Sequence, residues 1–174
     1  MAAPPNPPVV PLDEYLNSSY SPDKEYVDGV LVERSVGTIP HSRLQRILLL
    51  HFDRYTSLGI EALPECRTRT TSSRFRVPGV IVVDTPFDVE ARYYDGVPHA
   101  VVEILSPDDR MPEVLERFEE YQALGVPFVI QMDPVKRITR VFESSDLIRN
   151  ELRVLDKRDN PIPFDTLGLY SRLG

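Results

Sequence analysis

The sequence contains little of several residue types. It has one cysteine, Cys66, no tryptophan and three histidines among 174 residues. One cysteine cannot form a disulfide bond within the chain, and His51 and His99 do not have the spacing of zinc ligands. No stretch approaches the roughly 18 consecutive apolar residues that a membrane-spanning helix needs. These absences predict a cytoplasmic protein that is not embedded in a membrane.

Positive charge is also scarce. The 20 basic residues are outnumbered by 27 acidic ones, which gives a net charge of −7 at pH 7. Because this charge repels a polyanion, nucleic-acid binding would need a local basic patch. The basic cluster of note is the segment 67–76, which contains four arginines. Its alternating pattern is typical of a solvated strand face, although Arg74 and Arg76 are candidates for contacting phosphates.

The order of predicted elements indicates an α/β protein. Residues 1–11 are rich in proline and predict a flexible arm, and residues 12–174 are expected to form one domain. The apolar periodicities predict a short helix at 11–19, a hairpin at 24–35, helices at 40–59 and 112–124, strands at 60–65, 66–71, 75–84, 99–105, 127–133 and 137–144, and an edge strand at 150–157 with a proline-containing return. This order is typical of a mixed β-sheet flanked by helices on both faces.

The run 99–109 is the most informative segment because it has a carboxylate inside an apolar strand. Glu103 lies between Ala-Val-Val and Ile-Leu, and in a strand Val101, Glu103 and Leu105 face one way. A buried carboxylate without a partner is strongly unfavourable. Glu103 is therefore expected to be paired with a cation, bound to a metal ion or protonated.

The predicted helix at 112–124 supplies a cation for this position. Arg117 and Tyr121 are four residues apart, so they share one helix face, which is expected to pack against the sheet, whereas Glu120 is expected to face outwards. A guanidinium close to Glu103 is typical of a structural ion pair and also of a phosphate-binding site.

Several motifs together resemble the Uma-type putative restriction endonuclease family. They extend over roughly residues 12–142 and comprise Glu-Tyr-Val-Asp-Gly-Val-Leu-Val-Glu at 25–33, His41, Arg-Val-Pro-Gly-Val at 76–80, Val-Glu-Ile-Leu-Ser-Pro at 102–107, Tyr121, Gly-Val-Pro at 125–127 and Asp133-Pro134. That family is assigned to the PD-(D/E)xK nuclease superfamily. The resemblance implies a restriction-endonuclease-like fold, Mg²⁺-dependent hydrolysis of DNA phosphodiesters and a homodimer.

The resemblance also implies roles for particular residues. It places metal-binding, catalytic carboxylates at Glu103 and Glu25, and a catalytic cation for the scissile phosphate at Arg117. In such a site two acidic side chains hold a hard divalent cation, which lowers the pKa of a bound water. Glu25 is also compatible with a solvated strand residue that has no role in a site.

A candidate substrate-binding set accompanies these residues. It consists of His41, at the start of the first long helix, together with Arg74 and Arg76 of the basic segment. His41 is also compatible with a surface or helix-capping role.

Two positions depart from the family pattern. Pro78-Gly79 stands where the family has Pro-Asp, and Arg117 stands where it has a lysine. Asp84 cannot replace the missing aspartate, because its odd offset from Gly79 turns it the other way, roughly 17 Å along an extended strand. Glu65 is a conceivable replacement that no motif supports. An arginine keeps the charge but cannot serve as a general base.

Two functions are compatible with this sequence. The first is a Mg²⁺-dependent endonuclease with an altered site that is either active or inactive. The second is a non-catalytic domain that retains the nuclease fold, binds nucleic acid or a protein, and uses Glu103 and Arg117 as a structural ion pair.

Overall fold

The chain forms four helices and twelve strands in the part that the structure describes. This computed structural model describes residues 7–35, 37–157 and 160–174. The helices are α1 (Leu12–Asn17), α2 (Ile39–Phe52), α3 (Met111–Leu124) and α4 (Thr166–Ser171). The strands are β1 (Glu25–Val27), β2 (Val30–Val32), β3 (Ile60–Pro64), β4 (Thr68–Thr71), β5 (Arg74–Arg76), β6 (Val80–Asp84), β7 (Ala100–Ile104), β8 (Phe128–Asp133), β9 (Ile138–Glu143), β10 (Asp146–Arg149), β11 (Val154–Lys157) and β12 (Asn160–Pro163).

A six-stranded mixed sheet is the centre of the fold. Its strand order is β10-β9-β8-β7-β6-β3, with β7 and β8 parallel and the other neighbours antiparallel. A second sheet has the order β2-β1-β5-β4, and β11 pairs with β12. The α/β class predicted from the sequence is therefore confirmed, with a mixed sheet between helices.

The two faces of the six-stranded sheet have separate cores. Alternating residues of β6 and β7, such as Val82 and Val102, pack with α2, α4 and the β11–β12 pair. The residues between them, such as Val101, pack with Val114, Phe118 and other residues of α3. Both faces are covered, which explains why β6 and β7 are apolar at nearly every position.

Local sequence signals fix the ends of several elements. The Thr38 side chain accepts a hydrogen bond from the His41 backbone N–H at 3.4 Å and so caps α2. Asp28 and Gly29 have φ angles of 49° and 94°, as a two-residue hairpin turn requires. Gly125 ends α3 with φ 95°, a left-handed conformation in which glycine meets no Cβ penalty.

Some sequence predictions were wrong in their bounds. The predicted strand 75–84 is two strands, β5 and β6, which lie in different sheets on either side of Val77-Pro78-Gly79. The proline breaks the strand because it cannot donate a ladder hydrogen bond. The first long helix ends at Phe52, and a 3₁₀ turn, Asp53–Leu58, continues to Gly59.

The C-terminal part contains more structure than the sequence predicted. β10 follows β9 through Ser144 and Ser145, which both have positive φ angles. Serine is not a typical residue for such a turn, and this explains why the hairpin gave no sequence signal. α4 is a single short helix that the sequence pattern also did not indicate.

The predicted N-terminal arm is only partly within the described residues, because residues 1–6 lie outside them. Val10 is bound to the β1–β2 hairpin. Its N–H donates to the Gly29 carbonyl at 2.8 Å, and its carbonyl accepts from the Tyr26 hydroxyl at 2.9 Å. The end of the arm is thus attached to the hairpin rather than extended away from it.

Gly125 offers a test of how much its left-handed backbone conformation at the end of α3 contributes to stability. Gly125→Ala is expected to lower the free energy of unfolding by about 1 kcal/mol, because an alanine is strained at positive φ. A Cβ at this position would meet no atom within 4 Å, so the loss reports the backbone alone. Urea unfolding of this variant should be compared with Gly125→Asn, since asparagine tolerates this conformation better. Equal losses in the two variants would contradict the explanation.

Candidate functional site

Glu103 lies in the middle of β7 on the face that α3 covers, as predicted. The residue is 8% exposed. Its Oε1 accepts a hydrogen bond from the Tyr121 hydroxyl at 2.9 Å, and its Oε2 is 3.4 Å from the Gly79 backbone nitrogen, which donates to it. The strand and the helix therefore bring three positions of the family motif together.

Arg117 lies between the two carboxylates that the sequence proposed as metal ligands. Its Nε is 3.6 Å from Glu103 Oε1, and its Nη1 is 4.0 Å from Glu25 Oε2. Burial lowers the pKa of Arg117, but Glu103 and Glu25 raise it more, so the guanidinium remains charged. Burial raises the pKa of Glu103, while Arg117 opposes that rise and Glu25 adds to it. The arrangement is a half-buried cation shared by two buried acids.

Glu25 is held by groups other than Arg117. It is 1% exposed, which corrects the alternative that it is a solvated strand residue. Its Oε2 is 2.8 Å from Arg76 Nη1, and its Oε1 accepts a hydrogen bond from the Val77 backbone N–H at 3.2 Å. Both oxygens of Glu25 therefore already have a donor.

Arg74 and Arg76 are bound to carboxylates. Arg76 donates to Glu25 and to Glu120, and Arg74 donates to Asp28, Glu116 and Glu120. Burial tends to raise the pKa of Glu120, but hydrogen bonds from Arg76 and other donors lower it below its ordinary value. The expectation that Glu120 faces outwards is wrong, because its carboxylate is needed to neutralise this arginine pair.

The basic segment 67–76 is also not the solvated face that its pattern predicted. Arg67 is buried, with its guanidinium against Asp23 and the Tyr15 ring. Arg69 is more exposed and pairs with Asp95. Each arginine of the segment meets a carboxylate from another element, and the strand alternation alone could not reveal those partners. Whether Arg74 and Arg76 bind substrate stays a prediction.

His41 borders the same site. It lines a cavity of about 20 Å³ with Glu103, Arg34, Ser106 and neighbouring residues, which is room for about one water molecule or ion. Burial lowers the pKa of His41, so its imidazole is neutral near pH 7. A surface position for His41 is excluded by its 7% exposure.

The position of the missing aspartate is next to Glu103. A Cβ on Gly79 would lie 3.1 Å from the Val102 carbonyl oxygen and 3.4 Å from the Ile104 nitrogen. Asp84 is at the far end of β6, where it pairs with Ile60, and it does not replace this ligand.

Glu65 is closer to this position than sequence spacing suggests. Its backbone N–H donates to the Gly79 carbonyl at 3.3 Å, and its carboxylate is 3.9 Å from the Arg34 guanidinium. Its side chain is 49% exposed.

Sequence reasoning missed three residues of this site. Glu120 joins Arg74 and Arg76, Arg34 lines the cavity, and Asp109 accepts hydrogen bonds from Ser106 N–H at 2.7 Å and Ser35 Oγ at 2.9 Å. The Ser106-Pro107-Asp108-Asp109 sequence could have indicated Asp109, because such residues often bond to neighbouring backbone groups. Arg34 carries no such signal.

The residues present do not fit a typical Mg²⁺ site. Magnesium needs near-octahedral oxygen coordination, which protein sites usually provide with one or two carboxylates and water. Glu25 and Glu103 instead share Arg117, and Gly79 supplies no carboxylate. Among the described residues, no group of three or more His, Cys, Asp or Glu side chains is arranged to hold a metal ion.

The fold and the placement of Glu103, Gly79 and Arg117 define a nuclease-fold protein. Residues 12–173 match the Uma2 family, which is described as a putative restriction endonuclease family. The chain therefore belongs to the Uma2 family. No match was found among the curated proteins.

Solved structures agree with this assignment at the level of fold. A crystal structure of a putative nuclease of the DUF820 family from Anabaena variabilis superposes with a TM-score of 0.76 and 19% identity, covering 94% of this chain and 98% of that one. A DrdV–DNA complex has a TM-score of 0.39 and 13% identity, covering 77% of this chain and 13% of the other. The second similarity is too weak to define a shared fold.

Among the described residues, no helix has the length and hydropathy to span a membrane.

Arg117→Met tests the shared cation. The variant is expected to be destabilised by about 3–5 kcal/mol, because two buried carboxylates would lose a common partner. The loss should be smaller at about pH 5 than at about pH 8. Without Arg117 the pKa of the buried Glu103 rises further, so at the lower pH Glu103 is more often protonated and its burial costs less free energy. Urea unfolding at both pH values measures this dependence.

Two further variants control this experiment. Arg117→Lys keeps the charge and should lose less stability. The double variant Arg117→Met with Glu103→Gln removes both charges and should recover part of the loss. A pH-independent loss of less than about 1 kcal/mol in Arg117→Met would contradict the shared-cation arrangement.

Glu120→Gln tests the second carboxylate cluster. The free energy of unfolding should fall by about 1–3 kcal/mol at neutral pH, because charged hydrogen bonds with Arg74 and Arg76 are weakened. The difference from the native protein should narrow as the pH falls below 4.5, the ordinary value for Glu120, because its lowered pKa stabilises the fold only while it is ionised. The exposed Glu119→Gln, on the same helix, is the matched control and should show little change.

Proposed function

We propose that this protein is a non-catalytic member of the nuclease family that binds nucleic acid and does not hydrolyse it. The position of Arg117 between Glu25 and Glu103 is the observation on which this proposal depends. Its charged guanidinium is 3.6 Å from one carboxylate and 4.0 Å from the other. The resemblance implies a Mg²⁺ ion held by such carboxylates with a lysine close by. Here the larger guanidinium lies within ion-pair distance of both carboxylates, which leaves them fewer free oxygens for a divalent cation.

The residues near Glu103 also lack the groups that hydrolysis needs. Gly79 offers no carboxylate, so one ligand expected for the metal is missing. Arg117 cannot accept a proton from an attacking water, because an arginine remains protonated at any physiological pH. His41 is neutral and could accept a proton, but the cavity next to it has room for only about one water molecule or ion. These features support an altered site that is inactive.

Nucleic acid is the partner that the family assignment supports. A nuclease fold that has lost its metal ligands can keep the surface on which the phosphate backbone lay, since binding needs charge and shape but no metal. Magnesium, a homodimer and a cytoplasmic location are what the sequence and the family resemblance imply, and they stay predictions.

The decisive experiment combines cleavage with binding. Plasmid DNA and single-stranded oligonucleotides are incubated with Mg²⁺ or Mn²⁺ and either the native protein, Glu103→Gln, or the double variant Gly79→Asp with Arg117→Lys. Binding is measured on the same DNA with EDTA present. We expect the native protein to bind and not to cut, and the double variant to gain cleavage because it regains a carboxylate and a lysine.

The controls separate loss of chemistry from loss of folding. Melting temperatures of all variants are compared first, because the Cβ of an aspartate at position 79 would lie 3.1 Å from the Val102 carbonyl oxygen. The neighbouring atoms would have to shift by a few tenths of an ångström. Cleavage by the native protein that Glu103→Gln abolishes would overturn the proposal in favour of an active nuclease. A native protein that neither cuts nor binds DNA would overturn it as well.

A further inference from the structure

A row of polar residues crosses the central sheet from Glu103 to its edge. Glu103 of β7 pairs with Gln131 of β8, Gln131 pairs with Arg140 of β9, and Arg140 pairs with Arg149 of β10. We call these four residues the polar row. On each strand one residue two positions away belongs to the core beneath α3, namely Val101, Val129, Phe142 and Leu147. The polar row therefore lies on the same face as the candidate site and leads away from it.

Two arginines occupy opposite positions at the outer end of the polar row. Arg140 and Arg149 are directly opposite on neighbouring strands. The Asn150 N–H donates to the Thr139 carbonyl at 3.1 Å, so the next pair along, Arg140 and Arg149, is a non-hydrogen-bonded pair, in which side chains are closest. Like charges at such positions are destabilising.

No carboxylate among the described residues relieves this repulsion. Arg140 donates to the Gln131 side-chain oxygen at 2.9 Å, and neither arginine has an ion pair in the described part of the chain. This contrasts with Arg67, Arg74 and Arg76, each of which contacts an acid. A bound anion would remove the repulsion and use the donors of both guanidiniums.

The same hairpin shows that a like-charge pair is not in itself a site. Glu143 and Asp146 are also opposite one another and, like Arg149, they are exposed to water, which screens their charges. Arg140 is half-buried and is oriented by Gln131, whose own exposure is 0%. A guanidinium held by a buried amide has less side-chain entropy to lose when a ligand binds.

An apolar cleft adjoins the polar row. It has a volume of about 350 Å³ and lies between the ends of β7 and β8 and the start of α3, lined by Leu105, Pro107, Met111, Val135 and others. The Met111 sulfur is 4.0 Å from Gln131 Nε2, so the cleft and the polar row meet at this contact. Met111 is 42% exposed and Val135 69% exposed, and both can contact a ligand.

The acidic residues of the cleft are already engaged. Asp133 Oδ1 accepts hydrogen bonds from the Val135 and Lys136 backbone N–H groups, and Asp109 accepts from Ser106 and Ser35. An apolar cleft of this size beside a cationic pair matches the two parts of a nucleotide, the base and the phosphate. A base can enter such a cleft only if it is unpaired.

We propose that Arg140 and Arg149 bind a backbone phosphate of single-stranded nucleic acid whose neighbouring base enters the cleft at Met111 and Val135. This inference rests on the nucleic-acid binding proposed above. It adds which residues bind the nucleic acid and that the nucleic acid is single-stranded.

The test measures binding without metal. Fluorescence anisotropy with EDTA at low salt is recorded for a labelled single strand of about 20 nucleotides and for a duplex of equal length. Arg149→Glu is expected to weaken binding of the single strand at least about tenfold. Its melting temperature should not fall, because a glutamate at 149 would face Arg140.

Two further variants make the test specific. Arg46→Glu makes the same change of charge at an exposed position of α2, on the opposite face of the sheet. It should weaken binding less than about twofold if binding depends on the position of the arginine and not on the net charge of the protein. Val135→Ser changes an exposed side chain and should reduce the preference for the single strand over the duplex.

Each outcome has a definite meaning. Equal losses in Arg149→Glu and Arg46→Glu, or equal affinity of the native protein for duplex and single strand, would overturn the inference while the proposed function stands. Inorganic polyphosphate that competes as well as an unlabelled oligonucleotide at equal phosphate concentration would also overturn the inference. In that case the protein would bind anions in general and would not recognise a base. A native protein that binds no nucleic acid would overturn the proposed function itself.

Discussion

The burial of Glu103 beneath α3 is the constraint on which the rest of the site depends. A carboxylate in a central strand must be compensated, and in this protein Tyr121, the Gly79 amide and Arg117 do so. Arg117 extends the compensation to Glu25, and Arg76 links Glu25 to Glu120. The second sheet, the central sheet and α3 are therefore connected by alternating charges. Removing one charge takes a charged partner from each of its neighbours.

This network compensates the acidic residues of the candidate site with groups of the chain itself. In the metal-binding arrangement that the family resemblance implies, a divalent cation neutralises the acidic residues. In this chain the Arg117 guanidinium, at the position of the family's lysine, contacts both acidic residues and is supplied by the fold itself. Such contacts keep the acidic residues compensated without a ligand.

Much of the candidate site could be predicted from the sequence because it depends on local periodicity. The two-residue period of β7 fixed the direction of Glu103, and the spacing of Arg117 and Tyr121 fixed their shared helix face. The roles of Arg76 and Glu120 could not be predicted, because their contacts join residues 44 positions apart. A charged residue on a short strand has the same local pattern whether its partner is water or a distant carboxylate.

The sequence by itself determined most of the elements up to Glu143, the mixed α/β class, the family and the departures at Gly79 and Arg117, since these follow from residue type and spacing. The tertiary structure alone decided that the arginines of 67–76 are neutralised, that Pro78 separates two sheets, and that Arg140 meets Arg149 without an acid in the described part of the chain. Charge pairing depends on distances of a few ångströms between distant segments. Only the pairing register and the packing of α3 set those distances.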